Sequence, residues 1–216
     1  MIRPHLHFRR EAVLCALLAF SGGCALPTLM PPLDRSYLQS GSVAAPPSSW
    51  RGSTEPPRPD APRTTAPKPP TVEHDSAEDL TRVSIVTHHG KYFLWMQQPQ
   101  VTFFYVYAGD IPPVEPPAVV YLVFRTQSPQ SIHDNKLTLV CDGIPAQLPG
   151  LPTSRVDQNY QLSSHFLTFS VPLTTFLEFA ACQTAEVEVG GVNAPFTEQQ
   201  LLNLEGFAAS IPRMRT

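Results

Sequence analysis

No apolar run in this chain approaches the ~20 residues that a membrane-spanning helix needs. The longest, Ala12–Phe20 (AVLCALLAF), falls well short, which argues against a retained transmembrane anchor. Cysteine is scarce: four residues and no C-x-x-C pair, too few for a disulfide scaffold and lacking the spacing of zinc or thioredoxin chemistry. Charge is sparse and balanced, 15 Lys and Arg against 18 Asp and Glu, for a net of -3. A nucleic-acid partner would demand a basic face, and the sequence offers none; nor does it carry an acidic tail. Also missing are the G-x-S-x-G elbow, S-x-x-K, the G-x-x-x-x-G-K-[ST] phosphate loop and H-E-x-x-H. The expectation is a protein with no cofactor and no enzymatic activity.

Proline is what the chain has in excess. It holds 25, more than twice the usual share of roughly 5%. Twelve of them fall between Ala25 and Ala77, as in Pro46-Pro47, Pro56-Pro57-Arg58-Pro59 and Lys68-Pro69-Pro70. Each lacks an amide donor, fixes its own φ and biases its predecessor against helix. So few apolar groups cannot offset the chain entropy lost on folding. Residues 24–77 are therefore expected to form a disordered tether with local polyproline II, spanning ~3.1 Å per residue and holding a domain several nanometres from its anchor. A P-x-x-P ligand for an SH3-like domain is the sharper reading of the same prolines, and a spacer the plainer one. Tyr37, Leu38 and Trp50 are the residues of this stretch able to dock on something.

The first 23 residues have the order of a secretory signal: Arg3, Arg9 and Arg10, then the Ala12–Phe20 run, then small residues Ser21, Gly22 and Gly23 leading into Cys24. Ser21-Gly22-Gly23-Cys24 resembles the lipobox of bacterial lipoproteins, in which an aliphatic residue and two small residues precede cysteine; Ser21 stands at the aliphatic position. The resemblance implies removal of residues 1–23 and acylation of Cys24 as the first residue of the mature chain. It also implies a membrane partner through that lipid and placement in the cell envelope. Ala25, where an Asp would retain such a protein in the inner membrane, implies the outer membrane, facing the periplasm or surface. Attached acyl chains contribute ~0.8 kcal/mol per buried CH2, and more than one makes anchoring stable.

From Asp79 the texture changes to short β-branched and aromatic runs between turn residues, the pattern of an all-β sandwich or barrel. Strands are expected at 80–87, 91–97, 101–108, 118–126, 136–141 and 162–171. His89-Gly90 and Asp142-Gly143 mark tight turns that need φ > 0. The run Val101–Tyr107 (VTFFYVY) is apolar at almost every position, so it should be covered on both faces. The period then switches. Leu173, Phe176, Leu177 and Ala180 repeat at helical spacing, with Thr175 and Glu178 matching a capping box. A hairpin follows, 185–189 and 192–196 around Gly190-Gly191. A second helix spans 197 to about 210, with Thr197 and Gln200 as its capping box and Leu201, Leu204, Phe207, Ala208 and Ile211 as its stripe. The expected fold class is mainly β: a small antiparallel β-sandwich over residues 78–212 ending in helix–hairpin–helix.

Candidate sites are few. Cys141 and Cys182 remain for the folded domain, and an oxidising compartment favours a disulfide between them; two separate buried thiols are the alternative. His88-His89 with Asp110, His133-Asp134 or His165 could be assembled into a metal site. Neighbouring residues of a strand point to opposite faces, however, so the histidine pair cannot serve one ion, and no metal is expected. The same dispersed residues are the raw material of a hydrolase reading. The rings of Tyr92, Phe93, Trp95, Phe103, Phe104, Tyr105 and Tyr107 would suit a carbohydrate- or peptidoglycan-binding face if exposed, and a core if buried. The leading expectation is a non-enzymatic module that binds an envelope protein from a lipid-anchored tether.

Overall fold

A computed structural model describes residues 30, 32–39, 66–88, 92–93, 96–97, 99–126, 136–148, 152–159 and 162–212. The elements begin with a short helix, α1 (Ser36–Gln39), and the strands β1 (Thr71–Asp75), β2 (Leu80–His88), β3 (Tyr92–Phe93), β4 (Met96–Gln97), β5 (Gln100–Ala108) and β6 (Val119–Thr126). Then come β7 (Leu137–Cys141), β8 (Ile144–Leu148), β9 (Thr153–Asn159), β10 (Leu162–Pro172), α2 (Leu173–Ala180), β11 (Ala185–Val189), β12 (Val192–Pro195) and α3 (Glu198–Ser210). The fold is mainly β. One antiparallel sheet has six strands in the order β1-β2-β5-β6-β10-β9, a second has four in the order β12-β11-β7-β8, and β3 and β4 form a two-stranded third.

Alternation along the strands dictates where the core lies. In the six-stranded sheet, Ile85, Phe103, Leu122 and Phe169 stand opposite one another across four strands. In the four-stranded sheet, Ala194, Val187, Leu139 and Ala146 do the same. Both rows are buried, and all but Ala146 belong to one hydrophobic cluster that also takes in Phe176 and Phe179 of α2 and Leu204 and Phe207 of α3. As expected for its composition, β5 is buried on both faces from Val101 to Tyr107. Gly190 and Gly191, at φ 57° and 78°, make the turn between β11 and β12 in the left-handed region that hairpins of this length require.

Three expectations need correction. The single strand at 91–97 is instead the pair β3 and β4, with Trp95 outside the described residues. Helix α2 starts at Leu173, where the helical spacing begins, but it ends at Ala180 and lacks the proposed cap: β10 runs straight into it, Pro172 is the N-cap, and the Leu173 amide donates to the Ala118 carbonyl at 3.0 Å. Thr175 therefore lies inside the first turn, with its hydroxyl buried and unpaired, and makes no capping box. The buried face of α2 is Thr175, Phe176, Phe179 and Ala180, leaving Leu177 exposed. Helical spacing permits either stripe, and the one that buries two phenyl rings removes more apolar area from water.

The third correction concerns the expected tether, which contains α1 and a segment packed on the domain. Within the expected tether, residues 71–75 form β1, an edge strand in register with β2 from Thr71 opposite Ser84 to Asp75 opposite Leu80. Just before it, Ala66–Pro70 crosses α3. The Lys68 amide donates to Asn203 Oδ1 at 2.8 Å, and Gln199 Nε2 donates to the Ala66 carbonyl at 3.4 Å. A Cβ at Gly206 would come within 2.9 Å of Pro67, so glycine is what lets the proline approach. The signal region 1–23 and Trp50 lie outside the described residues.

The α3 cap forms as expected, with Thr197 and Gln200 each bonded to the other's backbone amide. So does its stripe: Leu204, Phe207, Ala208 and Ile211 are buried and Leu201 partly so. The Phe207 ring lies 5.8 Å from Tyr105 and 5.7 Å from Phe176. Phe207→Ala should therefore cost about 3–5 kcal/mol of stability, the usual range for a buried phenylalanine. Urea melts of the purified chain measure it; an unchanged midpoint would show that the stripe is not load-carrying for the core.

Candidate functional site

Cys141 and Cys182 are joined in a disulfide, with Cα atoms 5.5 Å apart and a separation of 41 positions in sequence. Strand pairing and helix termination bring them together. Cys141 ends β7 opposite Ala185 of β11, and Cys182 lies two residues beyond α2, its amide bonded to the Phe179 carbonyl. The adjoining turn is locked from both sides. Asp142, at φ 50°, donates its amide to the Thr184 carbonyl, and its Oδ1 accepts from the Thr184 amide at 2.8 Å and hydroxyl at 3.3 Å. Cys141, Asp142 and Cys182 crowd closely enough to suggest metal ligands. Both sulfurs are bonded to each other, however, so the corner supplies no thiolate to an ion.

Of the remaining sequence candidates, His165 and Asp110 have described side chains. His165 is half-buried on β10, between Thr126 of β6 and Val156 of β9. Asp110 is exposed after β5. His89, His133, Asp134 and the side chain of His88 lie outside the described residues, as does Cys24. Of the aromatic run, Phe103, Phe104, Tyr105 and Tyr107 are buried and offer no stacking face; the side chains of Tyr92, Phe93 and Trp95 are not among those described. Burial, and next the neighbouring Tyr107, pushes the Tyr105 phenol up to about 12, so it stays protonated at neutral pH.

Two surfaces stand out that sequence patterning did not single out. The first is the loop between β5 and β6. Ile111 and Val114 are 77% and 81% exposed there, carried among Pro112, Pro113, Pro116 and Pro117. Its base is held by the Gly109 amide on the Asp79 carbonyl at 2.8 Å, and by Thr81, whose hydroxyl donates to the Gly109 carbonyl and bonds His74 Nδ1 at 2.9 Å.

The second surface is the face of the six-stranded sheet turned away from the core. Phe104 and Tyr121 stack there at 5.1 Å, and Tyr37 of α1 meets both edge-on, at 5.3 and 4.8 Å. The Tyr121 hydroxyl donates to the Tyr37 carbonyl. The Arg82 guanidinium lies 6.0 Å from the Phe104 ring centre and pairs with Glu73 of β1. Arg82 is nearly buried, so Glu73 supplies the countercharge that its burial demands.

Replacing both Cys141 and Cys182 by alanine should lower stability by roughly 2–4 kcal/mol, the usual effect of opening a loop of this size. Melts with and without reductant test it: reductant should reproduce the loss in the parent chain and leave the double variant unmoved. Among the described residues no helix is long and apolar enough to cross a membrane. No family model, no curated protein and no solved structure matches the chain.

Proposed function

We propose that this chain is an envelope lipoprotein, anchored through Cys24 and facing the periplasm or surface from the outer membrane, whose domain is a non-enzymatic binding or assembly module. The observation that carries the binding role is the loop between β5 and β6. Ile111 and Val114 are large apolar side chains held in water on a segment whose prolines limit its conformations. Rigid display of apolar groups lowers the entropy lost on binding, and loops of this kind on a stable scaffold are where contact residues concentrate. The partner is an envelope protein with an apolar recess. The anchor rests on the Ser21–Cys24 resemblance and on the charged and apolar segments before it.

Two measurements test the reading. Cys24→Ser should leave a larger, unprocessed precursor that no longer fractionates with membranes; normal processing and retention in the membrane fraction would remove the anchor. The double variant Ile111→Asp, Val114→Asp should melt like the parent, since both side chains are already solvated, yet lose its crosslinked partner in intact envelopes. An unchanged crosslinking pattern would move the binding face elsewhere.

A further inference from the structure

The domain holds on to the tether at two separate places, and the contacts differ in strength. Ala66–Pro70 is fixed on α3 through Asn203, Gln199 and the Gly206 gap, and continues into β1, which is paired along its whole length. The earlier grip is slighter. Helix α1 has four residues, far too few to persist alone in water. It is started by Asp34, whose carboxylate accepts from the Ser36 amide. It is held to the sheet by the Tyr37 ring on Phe104 and Tyr121 and by the Tyr121 hydroxyl. Arg35 adds a long contact to Glu78, 3.9 Å between solvated side chains, a type worth little.

We infer that Asp34–Gln39 is a releasable strap that sets how far the domain can stand from its anchor. The inference rests on acylation of Cys24 as proposed above. With Tyr37 seated, thirteen residues of chain run from Cys24 to the sheet contact, and at ~3.3–3.6 Å per extended residue the domain is confined to within about 45 Å of the lipid. With Tyr37 released, the next contact among the described residues is at Ala66, about forty residues from Cys24, and the limit set by chain length rises to about 150 Å. One aromatic side chain thus switches the reach roughly threefold. The vacated socket of Phe104 and Tyr121 costs the domain little of its main core, because both rings lie on the opposite face of the sheet from that cluster.

The test uses the full acylated chain. Neutron reflectometry on a supported phosphatidylethanolamine–phosphatidylglycerol bilayer should place the parent domain within about 45 Å of the headgroups. Tyr37→Ala should spread the same protein density to at least twice that distance, and Tyr121→Phe, which removes only the hydroxyl, should fall between them. Coinciding profiles for parent and Tyr37→Ala would overturn the strap. Trypsin cleavage after Arg35 in detergent reads docking without any membrane: it should be at least ten-fold faster in Tyr37→Ala than in the parent, and equal rates would overturn docking. A parent chain that fails to join the bilayer would overturn the anchor, and the tryptic contrast separates that failure from failure of the strap.

Discussion

Phe103 sits where the two sheets and the first long helix meet. Its ring is fully buried, 5.3 Å from Phe176, 6.2 Å from Phe179 and 6.5 Å from Phe196. Those three residues come from α2 and from the end of the β11–β12 hairpin, so a single side chain on β5 is in contact with segments over seventy residues downstream. Phe176 passes the contact on to Phe207 of α3. An aromatic cluster of this kind contributes both area burial and ring geometry, and its members cannot be repositioned one at a time. The disulfide adds a covalent tie at the edge of the same cluster, since Cys182 follows α2 and is itself buried.

How much of this was legible depends on which strands carried an apolar pattern. The interior strands β2, β5, β6 and β10 are buried on at least one face, and their alternation or unbroken hydrophobicity marks them in sequence. The strands that patterning missed, β1, β8 and β9, are all sheet edges. Thr71–Asp75 and Thr153–Asn159 are mostly polar, and Ile144–Leu148 includes a proline. Such residues discourage further pairing at an edge, so the composition that argues against a strand is what an edge strand is expected to have. Helix α3 was readable because its cap and its stripe agree. In α2 two stripes compete within one segment, and only the surrounding core decides between them.

The polar features divide in the same way. The turn at Asp142-Gly143 and the two cysteines beside it were visible as local chemistry, but their bonding needed the strand register that brings Cys141 beside Ala185. The Tyr37 socket was half visible. Tyr37 stood out as an aromatic in a proline-rich stretch, while its partners Phe104 and Tyr121 read simply as members of apolar strands. Nothing local announces Arg82 and Glu73 as a pair, since β1 itself was unexpected. The loop of Ile111 and Val114 escaped notice because paired prolines mark any connection, and exposure is a property of the folded surroundings rather than of the residue.

The bond from the Lys68 amide to Asn203 spans 135 residues of sequence. It joins Ala66–Pro70, which precedes every strand, to α3, which follows every strand. Native contacts of such separation carry a heavy loop-closure cost and slow folding. As the chain emerges from the ribosome, β2, β5 and β6 are available long before α3 can cover Tyr105 and accept Ala66–Pro70. During that interval the sheet presents an uncovered apolar face and an unpaired edge, the condition in which partly folded chains associate. Closure of that face therefore waits on α3, and until then the sheet's own apolar surface is the chain's main hazard for association.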